Sequence, residues 1–516
     1  MQMRDIELWE GAAHIAHERK YDNLKYGESG LNGFGWQLNK LPNTSHWGSF
    51  FRVEFADNDS VHFHLTPDDL GVHRAHYDYP DIMKIDAEAK TFLVTRSYGT
   101  VWTFSNDPEG LVPQGSPISA VAENGKVTEF TYQNTRLVKV VAYHKDQAGQ
   151  ILAELDYAYN AEGLLVSIIL RQSSNNVLKP VKRVLYSYYA DEDACGNAGD
   201  LKSVTTEMAI NDSWVTMETY HYRYYKAGEI NGPKHAMKMA FFPADFEFFA
   251  LKTGNVCCCS IPDSEALDYA TKYYEYDGKQ RVILERVNRN RKRITLAYTE
   301  YPDTDDLSAV HRKTIETGPL GNKNIVFTNK NGVVLLREEV APPETGEPAT
   351  IYHFKYNADG QQTHRYSGGV VLGYTVVAVQ KATLELDLSP DKGMIEISEF
   401  HDNDQDGPKS AFFRKTIQNG VNGTPIVLEE IRHEKFDLNG KTNWKTKQDI
   451  QFADEDAKSP IATSYQYEFF PGTDKVVQKT TIMPVVPKEQ NGTGVATTIV
   501  ERFDEKGRLI WSKDEL

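Results

Sequence analysis

Residues 274–282 read Tyr274-Glu275-Tyr276-Asp277-Gly278-Lys279-Gln280-Arg281-Val282. Residues two apart on a strand share a face, so the Tyr-x-Tyr pair places two rings side by side against one surface of a sheet. The Asp-Gly that follows favours a tight turn, because these residue types tolerate the positive φ that reverses the chain. The stretch therefore predicts a β-hairpin whose return strand begins at Arg281.

This combination recurs along the chain: an aromatic-x-aromatic strand, a polar turn with Gly or Asn, then an apolar strand. We call it the aromatic-turn motif. Hairpins of one kind, repeated in order, form a continuous antiparallel sheet. The composition agrees, because the 516 residues include 28 tyrosines, which suit half-buried pleated surfaces. We therefore predict an all-β fold. Further copies of the motif begin at Phe130, Tyr157, Tyr186, Tyr222, Phe354, Tyr465 and Phe503.

Other elements are predicted between the motifs. Residues Lys441 to Phe452 alternate in strand fashion and predict a half-buried strand. Two short helices are expected as insertions in the β chain. One covers Pro243 to Leu251, with the proline in its first turn. The other covers Ser264 to Lys272 and is capped by Asp263 or Ser264.

The first part of the chain has a different character. Residues 1–115 lack the aromatic-turn motif and carry Gly33-Phe34-Gly35-Trp36-Gln37-Leu38-Asn39 instead. We predict an N-terminal β module over residues 1–115 and a motif array over residues 116–516. For Gly33 to Trp36 a packed turn is the favoured interpretation, and a ligand platform is the alternative.

Charge and hydropathy exclude several classes of partner. The net charge of −16 argues against nucleic acid, which requires a basic surface. The longest apolar run, from about Gly163 to Leu170, is too short to span a membrane. The start of the chain, Met1 to Glu7, shows no basic region followed by an apolar core, so no secretory signal is predicted.

The motifs resemble the RHS/YD repeat, whose core is Tyr-Asp-x-x-Gly-Arg-Leu. The best copy is Phe503-Asp504-Glu505-Lys506-Gly507-Arg508-Leu509, and residues 276–282 are a near copy. Longer phrases, such as residues 196–202, 222–229 and 484–492, are similar to the very large RHS proteins of planctomycete-type bacteria. The resemblance runs from about residue 90 to the C-terminus.

This resemblance implies strands that spiral into a hollow shell or cocoon, as in bacterial toxin shells and teneurins. It also implies an extracellular or cell-envelope location, although a cytoplasmic one stays open. Free strand edges are expected to favour a homo-oligomer. An enclosed polypeptide or a cell-surface protein is the other kind of partner that the resemblance implies.

RHS toxin shells commonly end in an Asp-Pro-x-Gly-Leu self-cleavage element, and this chain contains Asp107-Pro108-Glu109-Gly110-Leu111. The element precedes the motif array, whereas the family has it afterwards. We therefore interpret it as a turn initiated by proline.

Two stretches of the sequence contain residue types that bind metal ions. Residues Asp402, Asp404 and Asp406 resemble the opening of a calcium loop, but the position of the closing glutamate is Phe413. We favour an acidic turn there, with calcium as the alternative. Four histidines lie close in sequence without a recognised ligand spacing. They are His62, His64, His73 and His76.

The four cysteines are Cys195, Cys257, Cys258 and Cys259, and they show no Cys-x-x-Cys spacing. We predict that the cysteines are thiols that form no metal or redox site.

No catalytic, cofactor-binding or metal residue is predicted. The chain is interpreted as a non-enzymatic shell or scaffold protein. It could be a fragment of a larger secreted or surface protein. The alternatives are an adhesion or carbohydrate- or protein-binding module, and a toxin-encapsulating shell whose cargo lies outside this chain. A polysaccharide-degrading enzyme would need two converging carboxylates, which no motif indicates.

Overall fold

The computed structural model describes residues 1–38, 41–48, 50–56, 59–68, 70–76, 81–147, 150–191, 193–255, 257–438, 440–453, 457–458, 460–490, 492–505 and 507–515. Strands account for 56% of the protein and helices for 6%, so the prediction of an all-β fold is confirmed. Three residues of the quoted sequence phrases, Asn39, Asn491 and Lys506, lie outside the described residues.

The chain divides into two compact units, Met1–Arg293 and Ile294–Leu516. The boundary predicted near residue 115 marks where the aromatic-turn motifs begin in the sequence. It stays a prediction.

The elements of the first unit, in chain order, are β1 Gln2–Leu8, β2 Ile15–Tyr21, β3 Ser29–Gly30, β4 Gly33–Phe34, β5 Trp36–Leu38, β6 Asn43–Trp47, β7 Phe50–Ala56, β8 Asp59–His64, β9 Val72–Arg74, β10 Ile82–Asp86, β11 Thr91–Thr95, β12 Val101–Ser105, β13 Pro117–Val121, β14 Lys126–Gln133, β15 Arg136–His144, β16 Ile151–Tyr159, β17 Leu165–Ser174, β18 Val177–Tyr188, β19 Leu201–Ile210, β20 Ser213–Tyr224, β21 Met237–Phe241, α1 Pro243–Thr253, α2 Asp263–Ala266, β22 Lys272–Tyr276 and β23 Val282–Val287. From β9 to β23, each strand pairs antiparallel with the next along the chain. The strands before β9 form separate small sheets, ordered β1-β2-β5, β3-β4 and β6-β7-β8.

The second unit contains β24 Lys292–Glu300, within which the boundary falls, then β25 Arg312–Thr317, β26 Lys323–Thr328, β27 Val334–Val340, β28 Thr350–Tyr356, β29 Gln362–Tyr366, β30 Val371–Ala378, β31 Ala382–Leu388, β32 Met394–Phe400, β33 Phe412–Asn419, β34 Ile426–Leu438, β35 Lys441–Phe452, β36 Pro460–Phe469, β37 Val476–Ile482, β38 Thr498–Phe503 and β39 Leu509–Glu515. Consecutive strands again pair antiparallel, with one exception. Strand β29 pairs with β32, and β30 and β31 form a separate two-stranded sheet. Strand β35 has the predicted bounds, and its buried residues include Asn443 and Ile450.

The aromatic-turn motif forms a hairpin with a bulge at its second aromatic residue. In the copy at residues 274–282, the pairing shifts register between Glu275 and Tyr276. The Asp277 carboxylate accepts hydrogen bonds from the backbone N–H of Arg281, at 2.9 Å, and from its guanidinium, at 2.8 and 2.6 Å. The positive φ of 68° falls on Gln280 and not on Gly278, because the loop is a turn followed by one left-handed residue.

The copy near the C-terminus repeats this arrangement. The Asp504 carboxylate accepts hydrogen bonds from the backbone N–H of Arg508 at 2.9 Å and from its guanidinium at 2.7 Å. Gly507 takes the left-handed position, with φ of 78°. The residue types of the motif are therefore those that this one loop requires: a carboxylate that caps the turn, a left-handed residue, and an arginine that pairs with the carboxylate.

Hydroxyl groups connect successive hairpins. The second tyrosine of a motif donates a hydrogen bond to a backbone carbonyl at the start of the preceding return strand. In the first unit Tyr159 bonds Leu137 at 2.8 Å, and Tyr188 bonds Leu165 at 2.6 Å. In the second unit Tyr356 bonds Val334 at 3.0 Å. At these three positions a hydrogen bond therefore connects the bulged hairpin to the strand before it.

Of the two predicted helices, the first is confirmed and the second is much shorter than predicted. Helix α1 begins at Pro243, as predicted, and ends in a left-handed Gly254. Helix α2 is a single turn over Asp263–Ala266, and Lys272 already belongs to β22. Strand pairing replaces the predicted helix only at Lys272, which pairs with Ala240 of β21 and Val287 of β23.

Candidate functional site: the sheet face covered by the N-terminal strands

The N-terminal strands of the first unit lie against one face of its long sheet. Strands β1, β2 and β5 form a small antiparallel sheet that contacts β16, β17 and β18. The polar residues Asp5, His17 and Arg19 of β1 and β2 are buried together with apolar residues of the same strands. They enter one hydrophobic core together with residues of the long sheet, which includes Ile6, Leu8, Ile15, Trp36, Leu155, Ile168 and Val184.

A buried ion pair lies at this contact. The Arg19 guanidinium Nε is 3.0 Å from both carboxylate oxygens of Asp5, and both side chains are almost completely excluded from solvent. Two tyrosines of the aromatic-turn motifs complete the cluster. Tyr186 donates its hydroxyl hydrogen to Asp5 at 2.8 Å, and Arg19 donates to the hydroxyl oxygen of Tyr222 at 2.6 Å. Burial raises the pKa of Asp5 above its ordinary value, and Arg19 and Tyr186 oppose that shift.

Aromatic rings surround the guanidinium of Arg19. Its Cζ lies 5.0 Å from the ring centroid of Trp36 and 5.2 Å from that of Tyr220, which is cation–π distance. The Trp36 indole N–H in turn donates to the Tyr224 hydroxyl at 2.8 Å. The sequence element Gly33–Trp36 is therefore a packed turn and strand, as its favoured interpretation predicts.

Backbone groups of the N-terminal segment also bond the sheet. The Leu165 N–H donates to the carbonyl of Leu31 at 2.8 Å, and the Met237 N–H donates to the hydroxyl of Tyr21 at 2.7 Å. Gly33 approaches the sheet so closely that a Cβ there would lie 2.4 Å from the carbonyl oxygen of Gly199. Its φ of 90° is a second reason why glycine occupies this position.

His17 is buried in the same contact, between the rings of Tyr157 and Tyr186. Burial, with the nearby charge of Arg19, lowers its pKa to about 3. The imidazole is therefore neutral at physiological pH. Asp5 and Arg19 neutralise one another, so the pair lies between the N-terminal strands and the sheet without a net charge.

Clefts also lie elsewhere in the described parts of both units. A cleft of about 510 Å³ in the first unit is lined by Lys238, Asp263 and Arg286 among others, and Lys238 forms ion pairs with Glu229 and Asp263. A cleft of about 490 Å³ in the second unit contains His401 and His433, whose ring nitrogens are 3.3 Å apart. Burial, with His401 nearby, lowers the pKa of His433.

The structure places the aspartates named from the sequence in exposed turns. Asp107 accepts a hydrogen bond from the backbone N–H of Glu109 and pairs with Lys90 in the connection between β12 and β13. Asp402, Asp404 and Asp406 lie in the turn between β32 and β33, where the Asp404 carboxylate caps the N–H of Lys409.

The structure places the four histidines in ring and backbone contacts, three of which follow. The rings of His64 and His76 stack at 3.8 Å, His73 bonds the carbonyl of His64, and His62 packs on Phe50. Within the described ranges, no three His, Cys, Asp or Glu side chains are arranged to hold a metal ion. Among the helices described, none has the length and apolar character needed to cross a membrane.

Sequence reasoning missed the groups that form the contact. Asp5 and Arg19 stand in short strands of ordinary composition, and their tyrosine partners are about 180 and 200 residues away in sequence. The tyrosines were recognisable as members of a sheet face, but the segment that covers this face was not.

No family model matches the chain, and no curated protein matches it. Solved structures match at low similarity. The chain is similar to "Crystal Structure of TcdB2-TccC3-TEV", at 9% identity and a TM-score of 0.24 over 97% of this chain. It is also similar to the "Tc holotoxin pore" structure from Photorhabdus luminescens, at 10% identity and a TM-score of 0.19 over 88% of this chain.

The chain spans about a quarter of the length of these matched chains, 26% in each case. At TM-scores this low the backbones do not superpose closely. The description of this chain as an all-β protein that resembles an RHS shell therefore rests on its own hairpins, bulges and turn carboxylates.

Proposed function

We propose that the chain is a non-enzymatic structural scaffold whose tyrosine-lined sheet face holds polypeptide strands. One observation carries the proposal: strands β1, β2 and β5 lie on that face in the first unit, fixed by motif tyrosines that bond their side chains and backbone. The Asp5–Arg19 pair is buried and mutually neutralised, which is consistent with a role in holding strands in place.

The resemblance to RHS/YD repeats supports an extracellular or cell-envelope role for this scaffold. For this chain we propose the role of a shell-type scaffold. Self-association through strand edges remains a prediction, which light scattering of the purified protein tests.

The experiment uses the full chain with a recognition sequence for a specific protease inserted between residues 38 and 41. After cleavage, size-exclusion chromatography under native conditions should show that the N-terminal segment elutes with the remainder of the chain. The same experiment with Arg19→Met should release the segment, because the Asp5 carboxylate then loses its buried partner.

A matched control is Glu7→Gln, which alters a partly exposed carboxylate of the same strand. This variant should retain the segment. Release of the segment from the otherwise unaltered chain would contradict the proposal, since the face would then not hold a strand without a covalent connection.

A further inference from the structure

Two histidines of the second unit meet in its cleft of about 490 Å³. His401 directly follows β32, and His433 lies in β34, with β33 between the two strands. Nε2 of His401 and Nδ1 of His433 are 3.3 Å apart, and the two ring planes cross at 71°. Two imidazole nitrogens from neighbouring parts of the sheet therefore lie side by side in the lining of a cleft.

The distance between these nitrogens is the one that a bound metal ion requires. Zinc in proteins binds imidazole nitrogens at about 2.0–2.1 Å and prefers tetrahedral coordination. Two nitrogens bound to one tetrahedral ion are then about 3.3–3.4 Å apart. The separation of 3.3 Å between His401 and His433 matches this value. One ion could therefore bind both nitrogens with little movement of either ring.

The residues around the two histidines hold them in place. The ring of His401 stacks on that of Phe413, with centroids 4.7 Å apart. A Cβ at Gly407 would clash with Nε2 of His401, so the glycine leaves the space beside this nitrogen open. The pairing of β34 with β35 shifts register between Arg432 and His433, and such a bulge re-aims a side chain. The pair is thus arranged before any ion binds.

The charges in the cleft do not oppose a cation. Its lining includes three cationic side chains, Arg414, Arg432 and Lys447. Glu430 pairs with both arginines, at 3.4 and 2.7 Å, and Glu434 pairs with Lys447 at 3.5 Å. These carboxylates offset the positive charges that would otherwise repel a metal ion.

We propose that His401 and His433 bind one divalent transition-metal ion of the kind that imidazole prefers, such as zinc. In the part of the chain that the structure describes, no third His, Cys, Asp or Glu side chain is arranged to join them. Water or a small ligand in the cleft therefore completes the coordination. Binding requires only that the ring hydrogens of both imidazoles lie on the opposite nitrogens, which is a change of tautomer. The ion would link β32 to β34 across β33.

The test removes metal from the full chain with a chelator and titrates it with zinc chloride by isothermal calorimetry. We expect one equivalent to bind. His401→Gln and His433→Gln should each weaken this binding by more than the roughly 10- to 100-fold that is typical when a group that only orients a ligand is lost. The matched control is His364→Gln, a half-buried histidine of β29 in the same unit, which should bind zinc as the wild type does. Circular dichroism establishes that each variant is folded.

A second measurement identifies the ligands. Electron paramagnetic resonance of the copper(II) complex should show coupling to two imidazole nitrogens in the wild type and in His364→Gln. Four results would overturn the proposal: no zinc bound by the wild type, zinc binding that persists in both variants, zinc binding lost in only one of them, or copper coupled to a single nitrogen. If the contact is only a hydrogen bond between two rings, the first of these results follows.

Discussion

The hydroxyl of Tyr188 donates a hydrogen bond of 2.6 Å to the carbonyl oxygen of Leu165, the residue that pairs with Tyr159 of the preceding motif. Tyr159 does the same to Leu137, which pairs with Tyr132 of the motif before it. The bulge at each motif lets the second tyrosine point back across the sheet. The repeat is therefore connected through side chains as well as through the backbone ladder.

The first prediction concerns this connection. Tyr188→Phe removes the hydroxyl, so the Leu165 carbonyl loses one hydrogen bond. The free energy of unfolding should therefore fall by about 1 kcal/mol. Urea titration followed by circular dichroism measures the change. The control is Tyr98→Phe, because the Tyr98 side chain is 56% exposed and its variant should be close to neutral. Equal decreases in the free energy of unfolding of the two variants would contradict the role assigned to the Tyr188 hydroxyl.

The second prediction concerns the buried pair. Arg19→Met leaves the Asp5 carboxylate buried with its charge uncompensated, and should cost about 3 to 5 kcal/mol of unfolding free energy. The double variant Asp5→Leu/Arg19→Met removes both charges and should be more stable than the single variant. Arg4→Met is the control, since Arg4 is half exposed, and its loss should be much smaller. A double variant no more stable than the single one would count against this explanation.

The third prediction is alkaline sensitivity. Burial raises the pKa of Tyr159 to about 12, and burial with Tyr465 and Glu434 nearby raises that of Tyr467 to about 12. In the unfolded chain the pKa is about 10. The neutral phenol is thus favoured by folding, and its contribution is complete below pH 10 and is lost as the pH rises from 10 towards 12. Thermal unfolding at intervals over this range should show the decline, with tyrosinate absorbance appearing as the protein unfolds. Tyrosine ionisation that is complete near pH 10 in the folded protein would disprove the prediction.

The fourth prediction concerns the left-handed position of the turn. Gly360 has a φ of 80° and open space where a Cβ would lie, so Gly360→Ala adds backbone strain without a steric clash. The expected cost is about 1 kcal/mol. Gly278→Ala is a matched control, because Gly278 also has open space but no left-handed φ. This control should be neutral or slightly stabilising, and a cost as large as that of Gly360→Ala would show that strain is not the cause.

Much of the fold follows from the sequence because the aromatic-turn motif is local. The hairpin at residues 157–165 needs only its own tyrosines, Asn160 and Gly163, and the Asn160 side chain bonds the Leu164 N–H at 2.8 Å as such a turn requires. The same local information predicts where α1 begins. It failed for the end of α2, because the helix stops at Ala266 and Lys272 pairs in β22 with strands β21 and β23.

The sequence by itself determined the strand content, the hairpin order and the residue types at the turns, since each depends on contacts among near neighbours. The tertiary structure alone decided which chain segment covers the tyrosine face. The bonds from Arg19 to Tyr222 and from Asp5 to Tyr186 join residues 203 and 181 positions apart. No local pattern encodes such pairs, because they form only when the sheet brings distant hairpins and insertions together.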